Sequence, residues 1–467
     1  MNFQPVLLWS DLLIWLLLAV MAGFAWLAAK NDMLRMAWRR VGASRPGMAA
    51  ATLLLAFLAI GLLDSLHYRP QLPTQPGEKM AYGVEVLSAL DKLLSGLRKQ
   101  NEKTYSEPLA TRLYAKETVE LPGGGSGREF PRLKYGGAHL GDDESGRTGD
   151  VLLKMLSGWG LALISMLAVT LAVCIRLARR AGSSVAMAWQ SIWRGECGFA
   201  WDAVLATLAV LLLVGLPLLA LSANYHVFGT DKVGQDVFFQ ILKSVRTALL
   251  IGVLPTLVTL PLAMLFGLAA GYFGGWVDDV VQYVYTVLSS IPGVLLIAAA
   301  VLMMQVVIDT HPQWFATAAE RADLRLLALC LILGMTSWTS LCRLLRGETL
   351  KLRELEYIQA ARAFGVPDWR VLLRHVLPNV MHIVIISVAM GFSGLVLSEA
   401  VLSYVGVGVD PSMISFGTMI NNARLELGRE PVVWWSLLAA FVAMFMLVLA
   451  ANLFADAVRD AFDPRAA

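Results

Sequence analysis

Long apolar runs set the character of this chain. Stretches near the ~20 residues that cross a bilayer recur at roughly 6–29, 47–66, 151–175, 199–222, 247–271, 277–305, 324–342, 380–404 and 432–455. They are continuous and lack the period-two alternation of barrel strands, so they predict helices. The expectation is an all-α fold: a polytopic membrane helical bundle of about nine transmembrane helices. Within the sixth run Pro292 precedes Gly293, which predicts a kink or break.

One long polar segment, 67–150, interrupts the pattern. Val84, Leu87, Leu90, Leu94 and Leu97 follow helical spacing and predict a helix there. Mostly irregular chain is expected after it, with a flexible stretch at Gly123-Gly124-Gly125-Ser126-Gly127. The segment reads as a small domain docked on the membrane part; a disordered loop is the other reading of the same composition.

Composition agrees with a membrane chain. Hydrophobic residues make up 57% and charged residues only 16%, against roughly 25% charged in soluble domains. The net charge of +3 is too small to point to a partner, and no basic patch interleaved with aromatics points to nucleic acid. Lysines and arginines mark cytoplasmic loops. Lys30, Arg35, Arg39, Arg40 and Arg45 face only Asp32 in the first loop, and Arg176, Arg179, Arg180 and Arg194 face Glu196 in the third. Arg343, Arg346, Lys351, Arg353, Arg362, Arg370 and Arg374 outnumber Glu348, Glu354, Glu356 and Asp368 in a later one. Nine spans with the N-terminus outside and the C-terminus in the cytoplasm put all three inside, and 67–150 outside. The first run has no basic stretch before it and no small-residue cleavage site after it, and reads as a retained anchor. Met36-Ala37-Trp38 and Met187-Ala188-Trp189 are a short echo between two basic loops.

The loop around Glu356 carries the strongest signal. Residues 344–364 are rich in helix formers, Gly365 offers a left-handed end, and Pro367 follows it. Asp368 is placed to cap a second helix running through Val376, and Pro378 marks the entry into the next span. Ala360, Ala361 and Ala363 would let another surface approach, with Arg362 and Arg370 at the rim. From the residues alone this is either a docking helix–turn–helix or a connector lying on lipid headgroups. Glu399 reads as the one carboxylate well inside a span, where an ionised group costs on the order of 2.5–3.5 kcal/mol. It is either a proton relay or, as favoured by the lack of a second buried carboxylate or histidine, a carboxylate near the outer end of its helix hydrogen-bonded to neighbouring backbone. There is no G-x-x-x-x-G-K-[ST] phosphate loop. Cys174, Cys197, Cys330 and Cys342 and the six scattered histidines make no metal spacing, and no nucleophile–base set is visible. No enzyme active site is expected.

Glu356-Tyr357-Ile358-Gln359-Ala360-Ala361-Arg362-Ala363-Phe364-Gly365 with Arg374-His375-Val376-Leu377-Pro378-Asn379 resembles the EAA loop of ABC importer permeases. Gln359 and His375 depart from the older consensus toward the dipeptide/oligopeptide/nickel branch of these binding-protein-dependent type I systems. His226 through Val237 resembles that branch's HPLGTDxxGRDV segment, keeping Gly229, Thr230, Asp231, Gly234 and Asp236 while Val227 and Gln235 depart. Ser398-Glu399-Ala400 through Val409 and the ending Val458 to Arg465 are similar to it as well. The resemblance covers about 199–467. It implies a six-helix permease core there, with a cytoplasmic coupling loop at 343–379. Before the core stand two helices in 1–66, the periplasmic insert 67–150, and a third extra helix with a basic loop in 151–198. It further implies the permease subunit of an ATP-driven importer in a bacterial inner membrane, for peptides, working by alternating access. Coupling residues would be Glu356, Tyr357, Gln359, Ala360, Ala361, Arg362, Ala363, Gly365 and Pro378. Implied partners are a second permease subunit, two ATPase subunits carrying ATP and magnesium, and a periplasmic solute-binding protein; this chain itself would bind no cofactor. The rival readings are an ion-coupled secondary transporter with Glu399 in its path, and a membrane scaffold whose insert binds an envelope partner.

Overall fold

A computed structural model describes residues 3–72, 82–120, 126–141, 146–315 and 317–462. Gly123, Gly124 and Gly125 of the glycine stretch and Asp463, Pro464 and Arg465 of the ending lie outside the described residues. In chain order the helices are α1 (Trp9–Lys30), α2 (Asp32–Ala43), α3 (Arg45–Asp64), α4 (Ala89–Leu93), α5 (Ser95–Lys99), α6 (Arg147–Ala181), α7 (Val185–Arg194), α8 (Trp201–Ser222) and α9 (Val237–Val253). They continue as α10 (Thr256–Phe273), α11 (Gly275–Ser290), α12 (Gly293–Thr310), α13 (Ala318–Arg353), α14 (Glu356–Ala363), α15 (Asp368–Val371), α16 (Leu377–Tyr404), α17 (Phe416–Glu426) and α18 (Trp435–Phe462). The few strands are β1 (Phe3–Val6), β2 (His67–Pro70), β3 (Leu87–Ser88), β4 (Glu117–Glu120) and β5 (Ser126–Glu129). β2 pairs antiparallel with both β1 and β3, and β4 with β5.

Among the described residues nine stretches are long and apolar enough to cross a membrane, so the chain is a polytopic helical membrane protein. Three boundaries differ from the periodicity. The expected run at 247–271 begins earlier, at Val237, and pauses at Leu254 and Pro255 between α9 and α10. The expected kink in 277–305 is a full break: Pro292 holds Ile291 extended at φ −90° and ψ 131°, α11 ends, and α12 starts at Gly293. The helix expected near Val84–Leu97 is divided. Leu87 and Ser88 are strand, and Ser88 opens α4 through a capping box, its Oγ accepting from Asp91 N at 3.0 Å while Asp91 Oδ2 accepts from Ser88 N at 2.9 Å. The Ser-x-x-Asp signature was in the sequence; apolar spacing alone hid it.

The chain divides into two compact units. One comprises 1–7, 33–247 and 414–454, the other 8–32, 248–413 and 455–467. In the first, α6 and α8 pack closely because Gly158 has no side chain: a Cβ there would lie 2.5 Å from Pro217 Cα. The polar segment is folded onto the ends of these helices, with Leu109, Leu140, Val151 and Met155 around buried Leu221, Tyr225 and Val227. Lys243 of α9 ties the end of α3 to the start of α4, its ammonium 2.6 Å from Asp64 and 3.2 Å from Asp91.

In the second unit α10 lies along α13. Gly267 and Gly271 form a small-xxx-small pair on α10. A Cβ on Gly271 would stand 2.6 Å from Thr349 Cβ and 2.7 Å from Arg346 O, so the close approach of the two backbones requires glycine. Gly271→Val is therefore expected to destabilise the fold by roughly 1–3 kcal/mol through overpacking. Gly394→Ala, with nothing within 4 Å of the added carbon, should leave stability near wild type. Fluorescence-detected gel filtration after a heating series checks this; equal losses for both variants would contradict the packing.

Candidate functional site

In the second unit the loop around Glu356 is a built helix–turn–helix. α14 closes with the paired bonds of a Schellman turn: Val366 N donates to Ala361 O at 3.1 Å and Gly365 N to Arg362 O at 2.9 Å. Gly365 sits at φ +78°, the left-handed region that glycine enters freely. Pro367 then stands at the N-cap position of α15 without a side-chain capping bond. Asp368 does not cap with its side chain as the sequence suggested; it stands in the first turn, and its carboxylate accepts the Tyr272 hydroxyl at 2.7 Å. A hydrogen bond across elements has outcompeted the local one. Leu372–Val376 form a wide π turn that leads without interruption into α16. The wide turn accommodates Pro378, which has no N–H to give. Asn379 Nδ2 donates to His375 O at 2.6 Å and to the Tyr357 hydroxyl at 3.1 Å, closing the turn from the side.

The loop has two faces. Ile358, Val371 and Val376 are fully buried in a cluster with Tyr272, Leu345 and Leu352. Ala361 packs against that cluster and so faces inward, unlike Ala360 and Ala363. Glu356, Tyr357, Gln359, Ala360, Arg362, Ala363 and Gly365 are exposed. Phe364 is 86% and Trp369 59% exposed, two large aromatics that sequence reading passed over. Behind the loop, the Arg346 guanidinium grips Asp278 with two hydrogen bonds, and Arg362 lies 5.5 Å from the Tyr272 ring centre.

In the first unit the Gly229–Asp236 stretch is a charge-locked turn. His226 is fully buried; its Nδ1 is 2.7 Å from Asp236 Oδ2 and its Nε2 3.4 Å from Glu102 Oε1. The other oxygen of Asp236 accepts from Phe239 N at 3.0 Å and starts α9. Asp231 accepts from Val233 N, Gln235 N and Gln240 Nε2. Thr230 Oγ1 accepts from Ser106 N at 2.7 Å, and Thr230 O accepts from Trp435 Nε1 at 3.0 Å. Gly229 and Gly234 take φ of +70° and +75°, and a Cβ on Gly234 would fall 1.9 Å from Glu102 O. Glu102, Thr104 and Ser106, more than a hundred residues away in sequence, were not legible as partners. Glu102 also accepts from the N–H groups of Lys134, Tyr135 and Gly136. Burial opposes the charge on Glu102, but the His226 hydrogen bond and these three N–H groups outweigh it and hold its pKa at about 2. Burial likewise opposes the charge on His226, but the bonds to Asp236 and Glu102 raise it to about 9.

Glu399 is 2% exposed and accepts from the Ser403 hydroxyl at 2.6 Å. Two further carboxylates that the sequence reading did not single out, Asp11 and Asp323, are buried in the same unit. Ser10 donates to Asp323 through its N–H at 3.1 Å and through its hydroxyl. Asp11 escaped notice because it stands near the start of the first apolar run.

Binding-protein-dependent transport system inner membrane components match residues 263–467. The glutathione transport system permease protein GsiD of Pectobacterium atrosepticum is 32% identical over 303 residues, covering 60% of this chain and 93% of its own length. The chain belongs to this permease family. The oligopeptide transport system permease protein OppC of Mycobacterium bovis is 34% identical over 239 residues, 51% of this chain and 76% of its own. The dipeptide transport system permease protein DppC of Lactococcus lactis is 28% identical over 241 residues, 52% of this chain and 64% of its own. The permease is thus a multi-pass inner-membrane subunit of an ABC importer.

The His226 lock of this permease carries a pH dependence. His226 is raised above its ordinary 6.5, so its contribution is complete below that value and is lost as pH rises through about 9. Glu102 is depressed below 4.5, so its contribution is present above that and lost as pH falls through about 2. Limited proteolysis of the 101–137 segment should therefore stay slow at neutral pH and accelerate above about 9. Glu102→Gln removes one anion and should move that midpoint down; an unmoved midpoint would contradict the lock.

Proposed function

We propose that this permease forms one half of a heterodimeric pathway for peptides, driven by ATP and magnesium held on two separate ATPase subunits. Supporting the cargo class are the relatives, whose names specify glutathione, oligopeptides and dipeptides. Supporting the drive is the two-faced loop: its inner face is fixed to the bundle while Phe364, Trp369 and Tyr357 stand exposed. Glu356, Tyr357, Gln359, Ala360, Arg362, Ala363, Gly365 and Pro378 form the exposed docking surface; Ala361 holds it to the core. Movement of an ATPase would be transmitted through the continuous backbone from α15 to α16, and the bundle would alternate between inward and outward openings.

In this reading residues 1–66, 67–150 and 151–198 are additions to a core at 199–467. The N-terminus and the 67–150 insert face the periplasm, and the basic loops and the C-terminus face the cytoplasm. A solute-binding protein delivers cargo on the outer side, where Gly229, Thr230, Asp231, Gly234 and Asp236 anchor the insert. The chain itself carries no cofactor.

Phe364→Ser and Ala360→Trp, both on the exposed face, are expected to cut solute-stimulated ATP turnover of the assembled complex about tenfold, as loss of an interface anchor does. Membrane insertion of the permease should be unchanged. Ala361→Trp differs: it overfills the core and should lower the permease's own thermal stability. Normal turnover with both exposed-face variants would remove the loop from the coupling path.

A further inference from the structure

α7 joins α6 to α8, two of the stretches able to cross a membrane. It is a built helix: Ser184 caps its start, accepting from Met187 N at 3.3 Å, and Gly195 at φ +73° ends it. One stripe packs inward, Ala188 and Ile192 being buried, the latter with Cys174 and Leu205 of α6 and α8. The adjacent stripe does not. Val185, Trp189 and Trp193, four residues apart on one side, are 41%, 42% and 52% exposed, and the two indoles meet edge-on at 5.5 Å. Gln190 and Arg194 occupy the remaining, exposed side.

Cations surround this stripe. Arg176, Arg179 and Arg180 in the last turns of α6 and Arg194 of α7 are exposed, and none pairs with a carboxylate among the described residues. α2 adds exposed Arg39 and Arg40 at the same level, since Ala200 N at the head of α8 donates to Gly42 O at 2.8 Å. We propose that α7 lies along the membrane–water boundary, its Trp189–Trp193 pair in the headgroup layer and the surrounding arginines binding anionic lipid headgroups. Three facts support this occupant over a protein. The helix is tied by short connections to the ends of two spans, so it cannot leave the boundary. Indoles favour that layer, where an apolar ring and a polar N–H are both satisfied. The positive charge, in excess over the nearby Glu196, is complementary to an anionic leaflet.

The test uses the full chain with Cys197→Ser, in vesicles of phosphatidylcholine and phosphatidylglycerol, with a fluorophore on Trp193→Cys or on Gln190→Cys. Spin-labelled lipid should quench the probe at 193 about threefold more than the probe at 190, and aqueous iodide should show the reverse order, as for an interfacial helix. In a second arm, Arg179→Gln with Arg180→Gln and Arg194→Gln should lower the phosphatidylglycerol retained through purification, relative to phosphatidylcholine, about fivefold or more. Equal iodide quenching at the two positions would overturn the placement. Protection of position 193 from both quenchers would mean a protein covers the stripe, and would overturn it too. Unchanged phosphatidylglycerol retention would overturn the anionic-lipid assignment.

Discussion

Ile358, Val371 and Val376, each 0% exposed, fasten a charged surface loop to the cluster that α10 and α13 build. Burying three branched side chains there ties the loop to the bundle. Without that anchor, the Schellman turn at Gly365 would hold α14 to α15, but the inner face of α14 would lose its hold on the bundle. The Tyr272–Asp368 hydrogen bond then fixes the orientation of what has been buried, while the Arg346–Asp278 pair joins α13 to α11 behind it. Close contact between α10 and α13 is in turn licensed by Gly267 and Gly271, so the geometry of the outer face traces back to two missing side chains.

A comparable economy holds the polar segment. His226 is buried between Asp236, which also starts α9, and Glu102, which also gathers three backbone N–H groups. One imidazolium thus joins a helix cap to a turn of the segment. Gly234 fits only because it has no side chain, the Glu102 backbone lying where a Cβ would stand, which ties the glycine spacing of the motif to the segment that covers it. Removing any one charge would leave a buried partner unmatched, which costs more than the pair contributes when intact.

What the sequence disclosed was local. The spans follow from apolar length, the Gly365 turn from a glycine followed two positions later by a proline, and the break at Pro292 from the proline's own geometry. What it hid was mostly tertiary. Asp368 had a plausible local role as a cap, and only the fold shows Tyr272 taking its carboxylate. Ala361 is indistinguishable from Ala360 in composition, yet the helix turns one inward and the other outward. Glu102 meets His226 across 124 positions, and Ser10 of α1 meets Asp323 of α13 across 313. Two signals were readable and missed: the Ser88-x-x-Asp91 capping box and the Gly267-x-x-x-Gly271 pair.

The coupling role of the exposed face is tested most directly by a photo-crosslinking residue in place of Phe364, in the complex within its native membrane. Illumination should join the permease to an ATPase subunit, with a yield that changes when vanadate traps the nucleotide state. Crosslinks to lipid alone, in both the resting and the trapped complex, would contradict docking and leave the loop lying on the headgroups.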